Sequence, residues 1–338
     1  MPVYRCNACG YVAEEVVTPV GKAMPCGRCA KPVTVYATVF FVEKLLERYA
    51  AAWRELQTLR AAEAEDAGAA PQDGKPAAAP ERAPDLGADA SPDLASEAQH
   101  APLRAWFRAR QIDVTFDVAN VNTAGYFDDA ARMLGARHDL FGELIDRVCW
   151  SYRKVHTGLN LELARLPQKD AQAINQLCRD FYSHTFFSRY HYQKVEKIVR
   201  LGLQSAPAVR RFFEGGWLEW YALMEVLDAW GNGQPRGPLS VARGARVTFA
   251  NEDVQELDVL ALAGDQPPLC IECKTGEFRR DLDKLLRLRK RLGIPRERFV
   301  ICAIDLDDAQ ASSLSAMYEM SFVTLRSLRP HLERLRPG

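Results

Sequence analysis

Val254-Gln255-Glu256-Leu257-Asp258-Val259-Leu260-Ala261-Leu262 and, after a Gly264-Asp265 turn, Pro268-Leu269-Cys270-Ile271-Glu272-Cys273-Lys274 form the stretch on which the fold turns. Both runs are mostly apolar, and a turn separates them, so they read as two strands. The charges inside them are the unexpected part. Side chains alternate along a strand, so Glu272 and Lys274 fall on one face. Asp258 sits alone among Leu257, Val259 and Leu260. Burying unpaired ions costs on the order of several kcal/mol each, so these groups need partners. Asp258 and Glu272 offer the hard oxygens that suit Mg²⁺ or Mn²⁺. Lys274 would then stand beside the metal, placed to orient a water and to offset charge on a phosphate. The plainer alternative is a buried Glu272–Lys274 ion pair with Asp258 at a strand end.

Outward from this core, Trp217–Trp230 reads as an amphipathic helix and Ser240–Ala250 as a strand. Downstream, a basic helix over Arg280–Leu292 leads into the apolar strand Phe299–Ile304. The order helix, three strands, helix, strand predicts an α/β sandwich with a mixed sheet. From 279 to 298 the chain carries Arg279, Arg280, Lys284, Arg287, Arg289, Lys290, Arg291, Arg296 and Arg298 against Asp281, Asp283 and Glu297. Arg279, Arg280, Lys284, Arg287, Lys290 and Arg291 are the candidate nucleic-acid contacts, because a helix so charged attracts a phosphate backbone. A solvated helix face is the competing explanation.

Asp258, thirteen intervening residues and then Glu272-Cys273-Lys274 resemble the D…ExK signature of the PD-(D/E)XK nuclease superfamily. With Gly215-Gly216-Trp217-Leu218-Glu219, Glu256-Leu257-Asp258-Val259-Leu260 and Ile271-Glu272-Cys273-Lys274-Thr275, residues 210–330 are similar to the nuclease domain of CARF-linked CRISPR ancillary nucleases. The resemblance implies a restriction-endonuclease-like αβββαβ core within 212–338. It implies Asp258 and Glu272 as metal ligands, Lys274 as the catalytic lysine and Glu219 as an outer or second-metal ligand. It further implies cleavage of phosphodiester bonds in DNA or RNA, in a prokaryotic defence effector. Those relatives carry a ligand-sensing doubly wound domain ahead of the nuclease. Here 103–210 lacks the strand–helix alternation for one, so activation by cyclic oligoadenylate is not carried over.

Ahead of that core, 103–211 reads as a mostly helical domain. Helical periodicity marks Asp129–Leu134, Leu140–His156, Lys169–Tyr182 and Gln193–Leu203, and Ile112–Ala119 reads as one strand. The run Arg179–Tyr192 mixes aromatic and basic residues, as a surface for stacking unpaired bases would. Cys178, Tyr182, Phe186 and Tyr190 recur every four residues, which favours a buried helix face instead. Phe116-Asp117-Val118-Ala119-Asn120-Val121-Asn122 has the strand-end Asp and Asn of a NYN/PIN-like RNase. That fold needs further parallel strands ending in acids, and none is evident.

The chain opens on two knuckles, Cys6-Asn7-Ala8-Cys9 and Cys26-Gly27-Arg28-Cys29, sixteen residues apart. This spacing suits a four-thiolate zinc ribbon over 1–36, with the metal supplying the folding energy of so small a segment. A purely structural or protein-docking ribbon fits at least as well as one that touches nucleic acid. Residues 37–61 read as a helix in which Val42, Leu46, Tyr49, Trp53 and Leu56 form an a/d seam, either packing on its own chain or building a homodimer through a short coiled coil. Residues 62–102 hold fourteen Ala, six Pro, and nine acidic residues against two basic ones. That composition predicts a disordered acidic linker.

The 338 residues carry 44 Lys+Arg and 44 Asp+Glu, which excludes a polyanion-coating or acidic solvating chain. No apolar run has the length of a membrane span and no signal peptide is evident, so a cytoplasmic protein with structural zinc and a catalytic Mg²⁺ or Mn²⁺ is expected. The other five cysteines are scattered, and an odd total of nine argues against a disulfide framework. A non-catalytic nucleic-acid or protein-binding adaptor that keeps the fold is the alternative to a nuclease. Protein purified without chelator should hold one zinc per chain on Cys6, Cys9, Cys26 and Cys29, and elemental analysis finding clearly less would refute the ribbon.

Overall fold

A computed structural model describes residues 2–6, 11–38, 92–122, 126–231, 239–250 and 253–336. The chain divides into two compact units, Met1–Pro80 and Glu81–Gly338. The first contains two antiparallel hairpins, β1 (Val3–Arg5) with β2 (Val12–Glu14) and β3 (Ala23–Pro25) with β4 (Pro32–Thr34). Its small core is Tyr4, Cys6, Cys26 and Val33. Nearly all of the seam helix over 37–61, and the linker as far as residue 91, lie outside the described residues.

The second unit begins inside the stretch read as linker. Helix α1 (Glu97–Arg108) starts at Ser96, whose side chain accepts from the Gln99 amide. Such an N-cap satisfies a donor that the first helical turn leaves free. Leu94, Leu103 and Phe107 are buried. The linker reading therefore ran too far, because the apolar residues that anchor α1, Leu103 and Phe107, lie just beyond the Ala/Pro-rich run.

The elements then follow as β5 (Asp113–Thr115), α2 (Phe127–Ala136), α3 (His138–Arg153), β6 (Gly158–Glu162), α4 (Gln168–Ser183), β7 (Phe187–Gln193), β8 (Ile198–Leu203) and α5 (Pro207–Arg211). After them come α6 (Trp217–Gly231), β9 (Ser240–Thr248), β10 (Val254–Leu262), β11 (Leu269–Lys274), α7 (Leu282–Leu292), β12 (Phe299–Ala303), α8 (Asp308–Met317), β13 (Ser321–Val323) and α9 (Leu325–Arg334). A mixed six-stranded sheet runs β13–β12–β11–β10–β9–β5, parallel from β11 to β13 and antiparallel elsewhere. The predicted α6–β9–β10–β11–α7–β12 order is present, with ends within one or two residues of the sequence reading. One sheet face packs on α2, α6 and α9, and the other on α1, α7 and α8. Among the described residues no helix is long and apolar enough to cross a membrane.

Four expectations change here. Gln193–Leu203 is not helical: Ile198–Leu203 is the central strand of a second, antiparallel sheet ordered β6–β8–β7. The four-residue recurrence of Cys178, Tyr182, Phe186 and Tyr190 is not one helix face, since α4 ends at Ser183 and Tyr190 lies in β7. Residues 103–211 do not stand apart from 212–338. Strand β5 extends the large sheet beside β9, and Phe181, Phe186, Phe187, Phe212 and Phe213 run directly into the core that buries Trp217. With neighbours on both sides, α6 buries twelve of its fifteen residues. A helix buried all round needs no polar stripe, which is why the amphipathic reading of 217–230 fails.

Helices α2 and α6 touch at Gly135, where an added Cβ would collide with the Tyr221 ring. Overpacking of this kind costs about 1–3 kcal/mol. Gly135→Ala should lower the thermal midpoint clearly, and an unchanged melting curve would deny the close crossing.

Candidate active site

Strands β10 and β11 part at the residues the sequence singled out. Their ladder pairs Ala261 with Leu269, Leu260 with Cys270 and Val259 with Ile271, and then stops. The next amide on β11 to need a partner, that of Cys273, donates instead to Asp258 Oδ2 at 2.7 Å. Across β9, Gly244 takes φ +64°, a backbone that side chains rarely adopt, opposite the same point of β10. Lys274 and Glu272, two apart on β11, share a face as alternation requires. Lys274 Nζ donates to Glu272 Oε2 at 3.1 Å and lies 3.8 Å from Asp258 Oδ2. The structure thus brings Asp258, Glu272 and Lys274 together.

The cluster is electrostatically tense. Burial, then the charge of Asp258, pushes Glu272 up to about 7 against the pull of Lys274. Burial also raises Asp258, again opposed by Lys274. For Lys274 burial acts downward, but Glu272 and Asp258 outweigh it and hold the ammonium above its ordinary value. Glu272 Oε1 is buried with no hydrogen-bond partner. A hard divalent cation fits this set: two carboxylates reluctant to be charged, one with a free inward oxygen.

Asp258 and Lys274 border an open cavity of about 930 Å³ whose wall also includes Glu219, Arg211, Arg243 and Arg246. Glu219 is on the first turn of α6, and burial, then Asp258, raises its pKa. Its carboxylate accepts from Arg243 Nη1 at 2.9 Å. Among the described residues the sole compact three-donor group is cysteine-based, so Glu219 does not close with Asp258 and Glu272 into one ligand set. Arg243 is fixed on three sides: it also donates to the Asn120 carbonyl at 2.8 Å and lies 4.3 Å over the Trp220 ring.

The predicted basic contacts lie elsewhere. None of Arg279, Arg280, Lys284, Arg287, Lys290 and Arg291 borders the cavity. Arg291 pairs with Asp253 and covers the Phe249 ring, Lys290 pairs with Glu319 at 3.1 Å, and Arg279 pairs with Glu277 at 3.7 Å. Arg280, Lys284 and Arg287 are exposed. The sequence reading missed Arg243, although a charged residue inside Val241-Ala242-Arg243-Gly244-Ala245 is the signal that marked Asp258. It half-found Asp117, Asn120 and Asn122, which line the cavity. They follow an antiparallel edge strand, not the parallel strand of a NYN/PIN-like fold.

In the first unit, Cys6, Cys26 and Cys29 bring their sulfurs within 4.8 Å of one another, a group able to hold a metal ion. Cys6 Sγ and Cys29 Sγ are 3.5 Å apart. Cys9 lies outside the described residues. Cys178, Cys270 and Cys302 are buried, and burial pushes each thiol up, so they behave as small hydrophobes.

Two solved structures are similar to part of the chain. Protein VC1899 from Vibrio cholerae is 20% identical, with 68% of this chain and 59% of that one covered and a TM-score of 0.45. Can2 from Sulfobacillus thermosulfidooxidans, solved in complex with cyclic tetra-adenylate, is 12% identical, with 69% and 59% covered and a TM-score of 0.47. The chain thus spans less than two thirds of the length of either protein. No protein-family model and no curated protein matches it.

The raised pKa of Glu272 has a consequence for stability. The folded chain keeps a proton that the unfolded chain releases near the ordinary value of 4.5, and keeps it to about 7. Stability of metal-free protein should therefore fall as pH rises through that window. Thermal melts from pH 4.5 to 8 should show the decline in the parent and a flatter profile in Glu272→Gln. Parallel profiles would mean that Glu272 carries no such strain.

Proposed function

We propose that this chain is a metal-dependent nuclease that hydrolyses phosphodiester bonds in nucleic acid. The observation that carries the reading is the convergence of Asp258, Glu272 and Lys274 where β10 leaves β11, with Glu272 Oε1 buried and unpartnered. A divalent cation bound by Asp258 and Glu272 would polarise a phosphate and lower the pKa of an attacking water. Lys274 stays protonated between the two carboxylates, so its part is to orient that water and offset charge on the phosphate rather than to take a proton. Arg243, clamped by Glu219, Asn120 and Trp220, presents a fixed cation on the cavity wall. Arg211 and Arg246 border the same space, where flanking phosphates would pass.

The first unit, on this reading, is a zinc ribbon in which Cys9 completes the ligand set of Cys6, Cys26 and Cys29. Its place is to dock a protein partner, and the seam helix over 37–61 supports a homodimer. A defence role rests on the resemblance of residues 210–330 to CARF-linked CRISPR ancillary nucleases alone.

Plasmid, linear duplex, single-stranded DNA and single-stranded RNA incubated with Mg²⁺ or Mn²⁺ supply the test. Lys274→Ala should lose about 10²–10³ in rate, the usual cost of one such electrostatic group, while keeping its metal. Asp258→Ala and Glu272→Ala should lose metal and activity together, and chelation should abolish cleavage. Cleavage by Lys274→Ala at the parent rate would assign the activity elsewhere. Metal-independent binding with no cleavage of any substrate would favour the adaptor.

A further inference from the structure

Residues 138–203 hold an arrangement that the cavity does not use. Helix α3, strand β6, helix α4 and the β7–β8 hairpin succeed one another, and the returning strand β8 lies in the middle of their sheet. The strand order is that of a winged helix, with one helix, α4, where that motif has two; α4 is then the presented helix and the hairpin the wing. Helix α4 buries Ile174, Leu177, Cys178 and Phe181 on one side. Its other side is a stripe of Lys169, Gln172, Gln176, Arg179 and Ser183, spaced three and four apart and all exposed. No acid stands in the stripe. Asp170 pairs with Arg137 at 3.4 Å, and Asp180, beside the stripe, accepts from Gln176 Nε2 at 2.8 Å.

The hairpin adds charge of one sign. Arg189, Lys194, Lys197 and Arg200 are exposed on it, against the single acid Glu196. Its base is tied to α4, because Tyr190 stacks on Tyr182 with ring centroids 6.0 Å apart and its hydroxyl donates to Asn175 at 2.9 Å. Helix and hairpin are therefore presented as one body.

We propose that α4 and the β7–β8 hairpin dock duplex DNA, with the α4 stripe in the major groove and Lys194 and Lys197 on the flanking phosphates. The major groove of B-DNA, about 12 Å wide, admits a helix, whereas that of A-form RNA is too narrow for side chains to read. Gln and Arg are the side chains that pair with adenine and guanine edges there. Lysines at the tip of a hairpin supply the sequence-independent grip on phosphates. The surface uses none of the cavity residues. It deepens the proposed function by naming duplex DNA as the substrate class, and only four residues separate β8 from Ala208 at the cavity wall.

The test reads binding without cleavage, so its outcome and that of the cleavage assay are separable. Full-length Lys274→Ala protein, without added divalent cation, is titrated into labelled 24-base-pair DNA, the matching single strand and a duplex RNA, at several KCl concentrations. Duplex DNA should bind tightest. Lys194→Glu with Lys197→Glu should weaken it at least tenfold and reduce the salt slope by about two, one for each phosphate no longer neutralised. Gln176→Ala with Arg179→Ala should weaken it about tenfold with a smaller change in slope. Circular dichroism melts check that the variants fold, and if the hairpin variant melts early the α4 variant decides. Unchanged duplex binding by the folded variants, no duplex binding at all, or equal or tighter binding of single-stranded DNA or duplex RNA overturns the proposal.

Discussion

A backbone amide with no strand partner organises the site. Where β10 leaves β11, the Cys273 N–H would be stranded, and a buried unpaired amide costs on the order of 1–3 kcal/mol. The Asp258 carboxylate takes it at 2.7 Å. That bond holds one oxygen of Asp258 at the fork and so fixes where the carboxylate points. Lys274 then lies within reach of both acids. The opening of the sheet, the placement of the carboxylate and the charge of the lysine are one construction. Filling the gap with a regular ladder would leave Asp258 without its donor and the cavity without its floor.

Behind the fork, α6 is tied to its neighbouring helices by partly buried charge pairs. This helix is apolar nearly all round, and its two acids on the far turns, Glu225 and Asp228, need partners. Arg329 of α9 donates to Glu225 at 2.7 Å and to Asp228 at 2.9 Å, and Arg132 of α2 also pairs with Asp228. Burial acts to raise the Asp228 pKa, but the two guanidiniums outweigh it and hold it low. Three helices are thereby locked to one another, and Glu219 at the start of α6 is delivered to Arg243 on β9.

The part of this architecture legible in the sequence was its apolar strands and the alternation along one of them. Apolar runs bounded by turns placed β9, β10, β11 and β12, and alternation put Glu272 beside Lys274, because a strand leaves its side chains no other choice of face. What alternation does not encode is which segment covers which. Hence 103–211 looked separate, although its aromatic residues belong to the core of α6, and β5, three residues long, was too short to announce that it closes the sheet edge. The Gln193–Leu203 misreading has a similar origin. Its apolar residues fit a helical period over a short window, and the turn that breaks it is built on Lys197 at φ +52°, a conformation for which lysine gives no warning. Arg243 was missed for a different reason: its partner Glu219 is 24 residues away, and nothing local pairs them.

Charge makes the last connection. The cavity wall carries five acids, Asp117, Glu214, Glu219, Glu256 and Asp258, against Arg211, Arg243, Arg246 and Lys274, and Glu272 lies buried behind them. Such a wall has no net attraction for a polyphosphate. The basic run of 279–298 does not correct this, since none of its residues borders the cavity and Arg279, Lys290 and Arg291 are each matched by an acid. On the proposed reading two separate sources of positive charge are therefore required: a divalent cation on Asp258 and Glu272 to reverse the sign at the reacting phosphate, and a remote basic surface to gather the rest of the backbone. The β7–β8 hairpin, with four basic residues and one acid, has the charge for the second task. On that reading, dividing attraction from chemistry in this way would let the carboxylates that hold a metal stay buried behind a wall with no attraction of its own for phosphate.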